Sequence, residues 1–309
     1  MNRSIKKTSS QIITEIMKNK AFYVFIIPGI IYFILIRYMP VYFVQVAFRN
    51  YKVTRAVSES SWAGLKYFRQ LFESPDFLLS VKNTLIINFY LIIFGFPAPI
   101  ILAIMLNEVK STGFKKITQT IVYLPHFISW IVIGGILRNF LSVQGGLVNE
   151  LIGLFGIKPV GFLIDPKYFR GILVVSSIWK EVGWGTIIYL ATMSGINPEL
   201  YESAMIDGAN RFKQIWHITI PSIMHVIVVM LIIRLGNMFN TGFEQILVLY
   251  NPLLKDQGLV LQYFVWYRGL VKYRYSFAAA AGLFNSVIAF ILVFVSDRAA
   301  KKIGQEGVF

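Results

Sequence analysis

The chain contains no cysteine, so disulfides, thiolate metal centres and cysteine nucleophiles are excluded. Histidine is scarce: His126, His217 and His225 are the full complement, too widely spaced to form a metal-ligand set. Acidic residues number 15 against 30 Lys and Arg. Most of those acids lie between the apolar runs, which argues against a membrane-embedded enzyme acting on glycans or lipids through clustered carboxylates. No Gly-x-x-x-x-Gly-Lys-Ser/Thr segment occurs, so the chain has no loop of its own to cradle nucleotide phosphates. "GGLVNELIG" at 145–153 has the glycines without the lysine and reads as a turn opening a short helix. His-Glu-x-x-His and Gly-x-Ser-x-Gly are also missing. Internal repeats, low-complexity tracts and a separate soluble domain are not evident either, which weighs against a secondary transporter built from two related halves.

What the chain has in excess is apolar side chains, 56% of 309 residues. They gather into six runs, at 22–43, 84–106, 119–141, 169–193, 220–240 and 277–296. Roughly twenty apolar residues suffice for a helix to cross about 30 Å of hydrocarbon, and lipid tolerates no unpaired backbone, so these runs must be helical. The sequence therefore predicts an all-α integral membrane protein with six transmembrane helices over 22–296, an N-terminal segment 1–21 and a tail 297–309. The first run follows a basic stretch and lacks a small-residue cleavage pattern, so it reads as an uncleaved span. The net charge of +15 suits residues flanking spans at anionic membrane lipid, not nucleic acid.

Lys and Arg also set an orientation. Lys6, Lys7, Lys18, Lys110, Lys115, Lys116, Arg298 and Lys301 lie in the N-terminal segment, the 2–3 loop and the tail. The positive-inside rule then puts both termini in the cytoplasm. Arg49, Lys52, Arg55, Lys66 and Arg69 oppose this bias from a longer loop. The loop 194–219 falls on the cytoplasmic side and is longer than a simple connection requires.

Within that loop, "NPELYESAMIDG" begins with Asn197 as a cap and Pro198 at the first helical position. Glu199 and Glu202 favour the positive end of the helix dipole, and Gly208 supplies the stop. Two readings fit these residues: an interfacial helix that merely joins two spans, or a docking loop with a small-residue surface at Ala204, Gly208 and Ala209. The spacing Glu202-Ser203-Ala204, Asp207-Gly208-Ala209 and then Ile218, Ile220, Pro221 resembles the cytoplasmic signature of bacterial ABC importer permeases. It departs mildly, with Ser203 for alanine, Ile215 for phenylalanine and Ile220 for leucine. "LPHFISW" at 124–130, "GFEQILVLYNP" at 242–252 and "YSFAAAAGLFNSVIAFIL" at 275–292 extend the likeness over nearly the whole chain. It is nearest to the maltose-type carbohydrate importers, in the branch that takes up oligosaccharides and polysaccharide fragments.

That resemblance implies the type I importer permease fold in a bacterial cytoplasmic membrane and a non-catalytic transport subunit. The implied assembly is a heterodimer with a second homologous permease, two cytoplasmic ATPase subunits and an extracytoplasmic binding protein that delivers an oligosaccharide. ATP and Mg would sit on the ATPase, with no cofactor on this chain. An ion-coupled secondary transporter is the alternative to this assembly. The coupling loop would present Glu202, Ser203, Ala204, Asp207, Gly208, Ala209, Ile218 and Pro221. By the same resemblance, the sugar-contacting positions fall on His126, Trp130, Ser177, Lys180, Glu181, Trp184, Asn237, Met238, Asn240 and Thr241. Arg37, Arg138, Arg234 and Glu244 are further ionisable residues in or near spans, where a charge costs about 2.5–3.5 kcal/mol at a helix centre on insertion scales. Arg37 and Arg138 are expected near span ends, and Glu244 at the outer surface. Lys180 and Glu181 are adjacent, so they point about 100° apart and cannot face one partner together.

Overall fold

The computed structural model describes residues 17–240, 242–302, 304 and 307. Among them, five continuous helices are long and apolar enough to cross a membrane: Lys20–Phe48, Pro75–Glu108, Pro166–Met193, Arg211–Gly236 and Tyr275–Lys302. They are the first, second, fourth, fifth and sixth spans. No strand occurs among the described residues; a single bridge pairs Arg49 with Trp62.

The third run was expected as one helix over 119–141. It is instead two arms, Thr112–Phe127 and Trp130–Phe140, bent by 100°. Pro125 removes a backbone donor and crowds the preceding turn. Ile128 and Ser129 then turn to extended backbone, and the Ser129 side chain caps the second arm by accepting from Val132 N. The fifth run was expected over 220–240, but its helix begins at Arg211, capped by Asn210, and stops at Gly236. Pro221 does not start it. The wide π-turns at Ile215–Thr219 absorb that proline within a continuing helix, as those at Leu91–Gly95 do ahead of Pro97. Arg37 lies near the middle of the long first helix, not at its end.

Polar residues inside the second span have backbone to satisfy. Asn83 Nδ2 donates to the carbonyls of Leu259 (3.1 Å) and Lys255 (3.4 Å), and Leu261 N donates to Thr84 Oγ1 at 2.9 Å. They hold the short helices Lys255–Gly258 and Leu261–Trp266 against the spans. Non-helical backbone at that depth needs such partners. Around them Phe77, Phe264, Phe277, Leu261, Ala280 and Ala281 form a buried cluster that joins the second and sixth spans.

The fourth span is the hub. Thr186 Oγ1 donates to Pro99 O of the second span at 3.2 Å. Gly183 lies so close to the third span that a Cβ there would sit 1.9 Å from Val122 O. Gly183→Ala must therefore push two backbones apart, an overpacking cost of about 1–3 kcal/mol. Thermal unfolding of the detergent-purified protein is expected to shift to lower temperature; an unchanged midpoint would refute the close approach.

Candidate functional site

The second, fourth and fifth spans, with the second arm of the third and the segment around Gln245, line an open cavity of about 520 Å³. Five of the expected sugar-contacting residues line it: Trp130, Ser177, Glu181, Trp184 and Asn237. Arg234 lines it too, one turn before Asn237, with Asn88, Gln245 and Thr84. Two indoles, the Asn237 amide, the Ser177 hydroxyl and the guanidinium donors of Arg234 thus share one space with a larger aliphatic lining that includes Ile87, Leu91 and Ile233. Such a set suits a ligand with flat C–H faces and a polar rim.

His126, expected in the cavity wall, stands behind it. Its ring stacks on Trp184 with centroids 4.4 Å apart and planes 4° from parallel, and its Nδ1 lies 2.9 Å from Glu181 Oε2. The pair fixes both Trp184 and Glu181 from the third span. Lys180 is turned away from the cavity and is buried. Its Nζ donates to the carbonyls of His126 (2.5 Å), Ile128 (2.7 Å) and Pro125 (3.4 Å). Those carbonyls face the break in the third span, where the helical ladder supplies no donor. Lys180 is therefore the plug of the 100° bend.

Met238 and Asn240 also lie outside the cavity, because the fifth span ends at Gly236 and the chain turns. Met238 is buried in the apolar cluster with Phe239 and Phe277. Asn240 Oδ1 accepts from Gln262 Nε2 (2.6 Å) and Asn285 Nδ2 (2.9 Å), tying the turn to the sixth span. Thr241 lies outside the described residues. Arg138 donates to Val248 O and Glu244 opens the short helix Phe243–Leu249. Sequence reasoning had Arg234 as an ionisable residue but missed it as a cavity group; its place one turn before Asn237 is the signal that could have found it.

At the far end of the fifth span, the 194–219 loop carries the helix Pro198–Ile206. Asn197 Oδ1 accepts from Glu199 N at 3.1 Å, so the cap is made as the residues demand. At the other end Ala209 N donates to Ala204 O (2.8 Å) and Gly208 N to Met205 O (3.1 Å). This is the paired bond set of a helix stop that needs a left-handed residue, and Gly208 takes φ +76°. Tyr201 OH and Thr219 Oγ1 lie 2.9 Å apart, and Gln214 Nε2 donates to Ala209 O at 2.9 Å. The short helix is thereby fastened to the fifth span. Glu202, Ser203, Asp207, Gly208 and Pro221 are exposed, while Ala204, Ala209 and Ile218 are half-buried. Ile206 and Phe212 are 87% and 75% exposed, with Leu200, Met205 and Trp216 also open. These exposed apolar side chains on a charged loop are open to cover by membrane lipid or by a partner protein.

Several apolar spans around a cavity of mixed apolar, aromatic and polar lining, with one continuous helix running from that cavity to the exposed 194–219 loop, define a membrane protein of the kind that moves solutes. Residues 95–305 match the family described as "Binding-protein-dependent transport system inner membrane component". The chain belongs to that family and is a permease subunit of a binding-protein-dependent ABC importer. It is 40% identical to the polygalacturonan/rhamnogalacturonan transport system permease protein YteP of Bacillus subtilis (strain 168), over 98% of this chain and 95% of that protein. Protein LplB of the same organism is 41% identical over 94% of this chain and 92% of its own length. A crystal structure of a bacterial alginate ABC transporter, in complex with alginate pentasaccharide-bound periplasmic protein, superposes with a TM-score of 0.88. It shares 41% identity and covers 96% of this chain and 99% of that one.

Proposed function

We propose that this subunit imports an oligosaccharide, delivered by an extracytoplasmic binding protein, through a heterodimer with a second permease, and that two cytoplasmic ATPases drive it. The observation that carries this reading is the 194–219 loop: a rigidly capped helix with an exposed apolar face, bolted to a span whose other end reaches the cavity. Relatives whose names mention polygalacturonan and alginate support an oligosaccharide as cargo. In this reading both termini lie in the cytoplasm, the loop serves as the coupling loop, and the protein resides in the cytoplasmic membrane of a bacterium. Residues 17–44 are exposed along their whole length, a face that the second permease and lipid would cover.

The geometry suggests how force would travel. Arg211 to Gly236 is one helix, and at 1.5 Å per residue it spans nearly 40 Å, about the thickness of the membrane. ATP-driven approach of two ATPases would move the coupling loops together. The Tyr201–Thr219 bond would pass that movement to the fifth span as a rigid body, which shifts Arg234 and Asn237 at the cavity. Outward opening would admit the sugar from the binding protein, and hydrolysis would restore the inward state. The Trp184 face, braced by His126, would stack on the sugar while Ser177, Glu181 and Asn237 bond its hydroxyls.

Reconstitution tests this. Proteoliposomes holding both permeases and the ATPase are expected to hydrolyse ATP faster when sugar-loaded binding protein is added, and to accumulate labelled oligosaccharide only with ATP. Uptake driven by an ion gradient without the ATPase would make the chain a secondary transporter and sink the proposal.

A further inference from the structure

Among the described residues, two charged side chains line the cavity, Glu181 and Arg234. Glu181 is already engaged by His126 at 2.9 Å. Arg234 makes no hydrogen bond or ion pair among the described residues, and it shares the cavity wall with Glu181. The other cations packed between spans have partners, whereas Arg37 stands on the exposed first helix. Lys180 has three carbonyls, Arg138 has Val248 O, and Arg170 Nη2 donates to Asn83 Oδ1 at 2.8 Å. An uncommitted guanidinium in the transport cavity is therefore the exception, and an ionisable group at such depth marks the path of a substrate.

We infer that Arg234 is the specificity-determining residue for a substrate carboxylate, and that the cargo is an acidic oligosaccharide built of uronate units. This inference rests on the oligosaccharide-import reading. The planar guanidinium presents five donors in a fork that matches a carboxylate in two parallel bonds. While the cavity is open, water satisfies those donors. When the spans close around a neutral sugar, the water leaves and the guanidinium is left with Glu181 across the cavity, whose carboxylate His126 already holds. When they close around a uronate, the carboxylate replaces the water and the charge is balanced. Selection arises from that difference, because a site built to pair a charged group penalises an analogue that lacks it. Trp184 and Trp130 then supply the apolar faces for the ring carbons, and Asn237 and Ser177 bond its rim.

Equilibrium binding of labelled trigalacturonate, and of its carboxyl-reduced neutral form, to the purified transporter complex tests the inference without the binding protein's own selectivity. The wild type is expected to favour the acidic form at least tenfold. Arg234→Gln should erase that preference and Arg234→Lys should restore part of it. Equal binding of the two forms by the wild type would overturn the inference with no variant needed. A preference that survives Arg234→Gln would overturn it too, as would binding of neither form. The import reading is judged separately, by ATP-dependent uptake in proteoliposomes.

Discussion

Replacement of Gly208 by valine is expected to abolish uptake while the chain still inserts into the membrane. Gly208 has φ +76°, and nothing lies within 4 Å of where a Cβ would project. The obstacle is therefore conformational, not steric crowding. A left-handed residue costs an ordinary side chain about 1–2 kcal/mol, and a β-branched one is worse placed still. That strain falls on the helix stop that orients Ile206 and the exposed end of the short helix. Strain of this size breaks the paired bonds of Ala209 and Gly208 without disturbing the apolar spans. A pull-down of the ATPase with the tagged permease should show weakened docking, and uptake should drop by more than tenfold. Retention of normal ATPase co-purification and normal sugar-stimulated hydrolysis would remove the loop from the coupling role.

That loop was legible because its signals are local. Asn197, Pro198 and Gly208 act on the backbone within a few residues of themselves, so a cap, a first turn and a stop can be read from their order. The apolar runs were legible for a similar reason, since the length of a run maps directly onto a crossing. The third span was not. Pro125 marks a possible kink in any helix, but the 100° bend depends on Lys180, 55 residues away, filling the carbonyls that the break exposes. Nor could sequence spacing divide the cavity candidates. Lys180 and Glu181 point apart as their adjacency requires, yet only the packing of the third span against the fourth decides which faces water. The end of the fifth span is a similar case. Gly236 and the following turn carry Met238 into the core and Asn240 onto Asn285, whereas a helix continued to 240 would have kept Met238 on the face of Arg234, four residues earlier. Pairings between segments far apart in sequence are where the residue pattern ceased to decide.

The two roles open to Lys180 predict opposite results for Lys180→Met. As the plug of the bend, the ammonium group satisfies the carbonyls of His126 and Ile128 at 2.5 and 2.7 Å, where charged hydrogen bonds contribute about 1.5–3 kcal/mol each. Methionine fills a similar volume and donates nothing, so both carbonyls stay buried and unpaired. Removal of the buried charge itself offsets part of that loss. The balance is a destabilisation of about 3 kcal/mol, a large share of the stability of an ordinary domain. The two arms of the third span should then lose their fixed angle, and with it the placement of His126 against Trp184 and Glu181. Purified Lys180→Met is expected to unfold at a clearly lower temperature, with poor sugar uptake as a consequence. Lys180→Arg, which keeps the charge and the donors in a bulkier fork, should recover only part of the stability. A direct sugar-contact role predicts the reverse: an unchanged unfolding temperature with weaker sugar affinity. Because the side chain is only 7% exposed and its donors are committed to backbone, the first outcome follows from the geometry, and the melting curve decides between them.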